Sequence, residues 1–239
     1  RFLFESLEPR ILLSADFTPV APLGSFIQRV EQGDTAGHFA ELGTTDYTLS
    51  LDAGQRISVL FEADAQLQGK IQIFGPAGGD PLGEVVAQQA GEKLLLDSLP
   101  VADSGDYLLR VENLAGSGNF NADVFLNASL ESELLGGVSN NDLTGAQDLA
   151  PAWLDLPEGG QRAAVVGSVE PGTADFYRLE LPADERLSLA LTALDTGGSG
   201  ALGLQLIDAT GRSVAAGRRG AATSDQVVDG FAALAGTYY

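Results

Sequence analysis

The stretch Tyr47-Thr-Leu-Ser-Leu-Asp-Ala-Gly-Gln-Arg-Ile-Ser-Val59 returns 130 residues later as Tyr177-Arg-Leu-Glu-Leu-Pro-Ala-Asp-Glu-Arg-Leu-Ser-Leu189. Self-similarity at a domain-sized period marks a module written twice. Within the first copy, apolar residues alternate with polar ones at Tyr47, Leu49 and Leu51. They do so again at Ile57, Val59 and Phe61, after Asp52-Ala53-Gly54. Period-two alternation is the signature of strands with one buried face, and the turn between the two runs reads as a hairpin.

Further strands follow outward from this pair. Lys70 to Phe74 ends in the turn Gly75-Pro-Ala-Gly-Gly-Asp-Pro81; Val85 to Ala87 and Leu94 to Leu96 come next, and Tyr107 to Val111 with Ala122 to Leu126 read as a closing pair. The second copy repeats the landmarks at Phe176 to Leu181, Leu187 to Leu191, Leu202 to Ile207 with the turn Asp208-Ala-Thr-Gly211, and Gly236-Thr-Tyr-Tyr239. Short strands separated by turn residues at this spacing predict an all-β protein: two tandem antiparallel β-sandwiches, jelly-roll-like. The expected divisions are an N-terminal segment 1–23, a first sandwich 24–130, an exposed linker 131–141 about which the sandwiches pivot, and a second sandwich 142–239. Thr144 to Leu149 reads as a short helical turn before Pro151. In the first copy two more strands follow the Gly105-Asp-Tyr107 landmark. The second copy reaches Tyr239 soon after the matching Gly236-Thr-Tyr238. The expectation is therefore a protein that continues, and a second sandwich whose open edge exchanges strands with neighbouring modules.

Composition narrows the function. The 239 residues contain 33 Asp and Glu against 13 Lys and Arg, a formal charge of -20, which repels phosphate backbones and anionic membranes. Cysteine is absent, which excludes disulfides, thiolate metal sites and a cysteine nucleophile, and fits a bacterial exported protein. No apolar run approaches the ~20 residues of a transmembrane helix. The amino-terminal apolar stretch is broken by Glu5, Glu8 and Arg10, unlike a cleavable signal peptide.

Catalytic constellations are not legible. His38 is the only histidine and reads as a surface turn residue; neither His-Glu-x-x-His nor Gly-x-Ser-x-Gly occurs. Gly198-Ser-Gly-Ala-Leu-Gly203 matches a dinucleotide-binding pattern but precedes a strand instead of following one, so it reads as a loop. Tyr47, Tyr107, Tyr177 and Tyr238 recur at equivalent places, as core residues or tyrosine corners do. Trp153, between Pro151 and Pro157, reads as an exposed contact or as a lid over the second sandwich.

Two resemblances emerge from these residues. Asn141-Asp142, Ala146-Gln-Asp-Leu149, Val166-Gly-Ser-Val169, Asp175-Phe-Tyr177, Leu204-Gln-Leu-Ile-Asp-Ala-Thr-Gly211 and Gly236-Thr-Tyr-Tyr239 together resemble the bacterial pre-peptidase C-terminal domain, and 43–128 is similar to a more divergent copy. Phe4-Glu-Ser-Leu-Glu-Pro-Arg-Ile-Leu-Leu-Ser-Ala-Asp16 is similar to the LEPR-XLL motif near the amino terminus of very large bacterial surface and exported proteins. From residues alone, Leu7, Ile11 and Leu12 form an apolar face that packs on the first sandwich, with Pro9 near a helix start.

The first resemblance implies calcium. It places Asn141, Asp142 and Asp175 as metal ligands. Hard calcium takes six to eight oxygens, so Glu131, Glu133, backbone carbonyls or water would have to complete the shell. The alternative is that Asn141-Asp142 caps a turn and Asp175 sits in a polar turn. Together the resemblances imply a non-catalytic structural or adhesion module of a secreted or cell-surface repeat protein. Its expected partners are neighbouring modules and an extracellular polymer. The competing class is a targeting appendage of an exported hydrolase.

Overall fold

The computed structural model describes residues 13–14, 18–19, 31–156, 159–194, 202–219 and 226–239. The first sandwich contains β1 (Leu13–Ser14), β2 (Thr18–Pro19), β3 (Glu31–Phe39), β4 (Gly43–Leu51), β5 (Arg56–Ala63), β6 (Gln68–Phe74), β7 (Gly83–Val86), β8 (Leu94–Pro100), β9 (Gly105–Ala115) and β10 (Gly118–Leu126). They form two five-stranded sheets, ordered β1-β4-β9-β6-β7 and β2-β3-β10-β5-β8. Strands β3 to β10 follow the order of an eight-stranded jelly roll, crossing from one sheet to the other at every step except β6 to β7, which pair as neighbours in one sheet. The all-β sandwich expected from the alternation is what the chain adopts.

The topology corrects two local expectations. β4 and β5 are not a hairpin: they lie in opposite sheets, and the turn after Leu51 arches over the edge of the core. β9 and β10 are likewise split. Alternation shows which face of a strand is buried but not which sheet the strand joins. At the β9–β10 crossing, Gly116 has φ 81°, and a Cβ there would sit 1.8 Å from the Gln66 carbonyl oxygen, so only glycine permits the crossing. Strand β3 was not legible in the sequence. His38 lies on it, not in a turn, exposed and bonded through Nδ1 to Asn119 Oδ1 of β10 at 3.0 Å.

Between the sheets, Leu49, Ile57, Val59, Phe61, Ile71, Ile73, Leu109, Val111 and Val124 are fully buried. Phe61 stacks on Phe120, and Phe120 on Phe39, at centroid distances of 5.8 and 5.0 Å. The ring of Phe61 lies over Gly69, where a Cβ would come within 2.5 Å of it.

The remaining strands are β11 (Ser129–Leu130), β12 (Gln147–Asp148), β13 (Leu154–Asp155), β14 (Gln161–Arg162), β15 (Val165–Val166), β16 (Tyr177–Leu181), β17 (Arg186–Leu191), β18 (Gln205–Ile207), β19 (Ser213–Ala216), β20 (Arg218–Arg219), β21 (Gln226–Ala232) and β22 (Gly236–Tyr238). β12-β16-β22 continues through an Asp208–Tyr238 bridge to β18-β19, repeating the order β1-β4-β9-β6-β7. The register repeats too: β1 pairs in parallel with β4 at Leu13–Tyr47, and β12 with β16 at Gln147–Tyr177. Thr144 to Leu149 is thus not a helical turn. It is an Asp142-Leu-Thr-Gly145 turn running into β12.

Tyr107 OH donates to the Asp103 carbonyl at 2.9 Å, and Tyr238 OH to the Leu234 carbonyl at 3.0 Å, so both are tyrosine corners. Tyr47 is core, with its hydroxyl donating to the Ala36 carbonyl at 3.1 Å. Trp153 packs as a lid against Leu179, Leu187, Leu206, Ala233 and Tyr238. Most of the LEPR-XLL-like segment, including Leu7, Pro9, Ile11 and Leu12, lies outside the described residues, as do 198–201 of the glycine pattern.

Candidate functional site

The segment 131–141, expected as an exposed linker, is anchored at both ends: Glu131 and Asn140 are fully buried. Its anchoring begins just upstream. Ser129–Leu130 pairs in parallel with Val165–Val166. Asp97 of β8 accepts the Ser129 hydroxyl on Oδ2 at 2.7 Å and the Leu130 N–H on Oδ1 at 3.0 Å. Leu130, with Leu134, Leu135 and Val166, covers Leu60, Leu95 and Phe125 on the outer face of the first sandwich. Gly-rich, polar composition suggested exposure, but only 136–139 and Asn141 are exposed.

At the end of this parallel pair the chain buries a carboxylate. Glu131 Oε1 accepts from Asn140 Nδ2 at 2.9 Å and from the Tyr177 hydroxyl at 2.7 Å, while Oε2 accepts the Ser168 N–H at 2.9 Å. A buried carboxylate is tolerated only when such donors replace its hydration. Gly167 makes room: a Cβ there would sit 2.6 Å from Glu131 Oε2. Burial first, and then the bond to Glu131, push the Tyr177 hydroxyl pKa up, so it stays a donor.

The sequence-derived ligands surround this carboxylate. The Asn140 N–H donates to Glu133 Oε1 at 3.2 Å, and Asn140 Oδ1 is buried without a partner. The Asn141 amide reaches Asp175 and Ala174: turned so that both its ends are satisfied, Nδ2 donates to Asp175 Oδ1 at 3.0 Å and to the Ala174 carbonyl at 3.2 Å, while Oδ1 accepts the Ser139 hydroxyl at 2.6 Å. Asp175 is pushed up to about 6, by burial first and then by the charges of Glu131 and Glu133. Asp142 faces differently. Its Oδ1 accepts from Thr144 N–H, Thr144 Oγ1 and Gly145 N–H at 2.8, 2.6 and 2.8 Å, which holds its pKa below the usual carboxylate range. Asp208 does the same for Thr210 and Arg212 in the matching Asp-x-Thr-Gly turn. Asn141 and Asp175 are therefore brought together, while Asp142 builds a turn. Among the described residues no three carboxylate or imidazole side chains stand close enough to hold a metal ion between them.

Sequence reading did not find Asn140, Tyr177 or Gly167 as parts of this site. One signal was available: Gly37 and Gly167 each precede the matched tyrosine by ten residues, and in both copies a side chain leans over the glycine, Phe120 in the first and Glu131 in the second.

No protein-family model and no curated protein matches the chain. Solved structures similar to it include the periplasmic inhibitor of g-type lysozyme, PliG, from Aeromonas hydrophila. That likeness has 16% identity and a TM-score of 0.33, and covers 48% of this chain and 95% of that one. The pre-peptidase C-terminal domain of a Bacillus anthracis collagenase is similar with 16% identity and a TM-score of 0.31, covering 38% of this chain and 86% of that one. The CspB protease of Clostridium perfringens is similar with 15% identity and a TM-score of 0.28, covering 38% of this chain and 25% of that one. No described helix is long and apolar enough to cross a membrane.

Proposed function

We propose that the chain is a non-catalytic structural module of a large exported or cell-surface bacterial repeat protein, a stiff pair of β-sandwiches serving a fibre, matrix or adhesin. The observation that carries this reading is the junction. Two modules joined by a buried glutamate, a parallel strand pair and an apolar seam transmit orientation, which a spacer needs and a free linker abolishes. The acidic, cysteine-free composition and the LEPR-XLL-like start support export. NMR relaxation of the whole chain tests the reading. Both sandwiches should report one rotational correlation time, and two independent times would overturn it.

Calcium completes the proposal. Asp175 Oδ1 and the Ala174 carbonyl lie together beside the Asn141 amide, and a hard cation bound there would turn the amide oxygen inward in place of Nδ2, with water completing the shell. Asp175 has its folded pKa raised, so its contribution to stability is fully present below the unfolded value of 3.8 and is lost as pH rises through about 6. A cation replaces the lost proton. Calcium should therefore stabilise the second sandwich at pH 7.5, by ~2.7 kcal/mol at a hundredfold excess over Kd and much less at pH 5, read as a raised melting temperature. An equal shift at both pH values, or none in the wild type at millimolar calcium, removes the cation from the reading. Asn141→Ala and Asp175→Ala should abolish the shift.

A further inference from the structure

The tyrosine corner is built in both copies, but only the first copy covers it. There the turn between β6 and β7, Gly75-Pro-Ala-Gly-Gly-Asp-Pro-Leu82, leans on the corner: Pro76 lies so near Gly105 that a Cβ on that glycine would come within 3.0 Å of its ring. Gly236 stands in the matching place, two residues before Tyr238 as Gly105 is before Tyr107. Asp208 bridges to Tyr238 just as the Phe74–Leu108 register sets Gly75 opposite Tyr107, so Ala209 holds the position of Pro76. Among the described residues nothing lies within 4 Å of a Cβ built on Gly236. The second turn folds back on itself instead, with Asp208 Oδ1 accepting the Thr210 and Arg212 N–H groups at 2.9 and 3.1 Å. A groove of about 620 Å³ is left at the corner.

The floor of this groove is apolar. Phe231 meets the Tyr238 ring edge-on at 5.8 Å, and Val214 and Leu234 flank the pair, with Leu234 79% exposed. At the rim stands Arg212, whose side chain is 78% exposed and touches Asp208 at 3.3 Å. The groove lies at the Ile207 end of β18 and the Ala232 end of β21. In the first copy the stretch after the corner is received by Arg56, Ser58 and Asp97, whose matches Arg186, Ser188 and Asp229 do not line the groove. What opens it is the exchange of a proline turn for a tight Asp-x-Thr-Gly turn.

The first copy shows what fits such a corner, since a proline turn covers it there. The tip of that same turn, Asp80-Pro81-Leu82, faces solvent. Leu82 is 52% exposed, and Asp80 is exposed with no hydrogen bond or ion pair among the described residues. We propose that this tip docks into the groove of a second copy of the chain, with Pro81 and Leu82 on the floor of Phe231 and Leu234 and the Asp80 carboxylate on the Arg212 guanidinium. Charge selects this occupant: in a chain of net charge -20, the contact joins one of few cations to an unpaired carboxylate and covers two exposed leucines. Tip and groove lie on different sandwiches, so the contact is heterologous, and chains joined by it run head to tail. One such knob buries little surface; it is weak between free chains and gains strength when many copies lie side by side. The inference rests on the fibre reading and deepens it. The two fail separately, because the relaxation experiment reads the joint within one chain and the test below reads contact between chains.

The test is sedimentation of the whole chain from ~10 μM to ~1 mM, the range in which small interfaces dissociate. The average mass should rise with concentration and fall back with added salt. Asp80→Arg and Arg212→Asp, both on exposed turns, should each weaken association about tenfold. An equimolar mixture of the two variants should restore it, because every aspartate again meets an arginine, and a variant that had lost its fold could not be rescued in this way. A monomer throughout the range overturns the proposal. So does association that either single change leaves unaltered, or a mixture no stronger than its components. A labelled peptide of 75–83 separates a second copy from proline segments in general: equal binding by the native peptide and by one carrying Asp80→Lys would overturn the choice of occupant.

Discussion

Replacing Glu131 by alanine should unfold the second sandwich far below the temperature at which the first one melts. The substitution strips acceptors from three donors, the Tyr177 hydroxyl, Asn140 Nδ2 and the Ser168 N–H, in a place that Glu131 itself keeps from solvent. A buried donor left without a partner costs about 1–3 kcal/mol, so the three together should cost about 3 kcal/mol or more. In a domain of ~100 residues that is a fall of more than ~10 °C in melting temperature, read by calorimetry as a splitting of the two transitions. Glu131→Gln supplies the control. It keeps one acceptor oxygen for Tyr177 and Asn140 but sets an amide against the Ser168 N–H, and it removes one of the charges that raise Asp175. Its stability loss should be smaller, and the Asp175 titration seen by NMR should move down from about 6. A loss below ~1 kcal/mol for Glu131→Ala would show that the carboxylate is not the clamp of the junction.

Phe61→Ala should cost about 3–5 kcal/mol in the first sandwich, the usual range for deleting a buried aromatic ring. The ring is fully buried, stacks on Phe120 and fills the space over Gly69, so the cavity cannot close without moving two strands. The matching change in the second sandwich, Leu191→Ala, should cost only about 1–2 kcal/mol, because Leu191 is half-buried, on a strand that among the described residues pairs on one side alone. Urea denaturation followed separately for each sandwich measures both. Equal losses would mean that β17 is as well covered as β5.

The contrast between Phe61 and Leu191 shows what a one-dimensional reading can reach. The alternation at Tyr47, Leu49 and Leu51 and at Ile57, Val59 and Phe61 was enough for strands, their buried face and the sandwich class. The repeat was enough to align the two copies residue by residue. The assignment of β4 and β5 to opposite sheets was not available, since an arch and a hairpin use the same turn residues. Strand β3 escaped because Gly33, Gly37 and His38 dilute its alternation, and β10 decides its pairing from 79 to 95 residues away.

The site divides in a similar way. Asn141 and Asp175 were legible through resemblance, and the structure brings them within hydrogen-bond distance. Asp142 followed the simpler physics of Asp-x-Thr-Gly, whose side chain satisfies its own turn. Glu131 was legible only as a possible accessory. Its burial depends on Gly167 and Tyr177, both more than thirty residues away, and on a parallel strand pair too short to show in any pattern.

That short parallel pair also sets how the chain bears load. A pull on the first sandwich reaches the second through Ser129 and Leu130, which lie alongside Val165 and Val166 and point the same way. Tension along the chain slides the two strands past each other, so their hydrogen bonds, the Asp97 contacts and the Glu131 clamp all resist together instead of opening one by one. The joint between the modules is thus a shear joint.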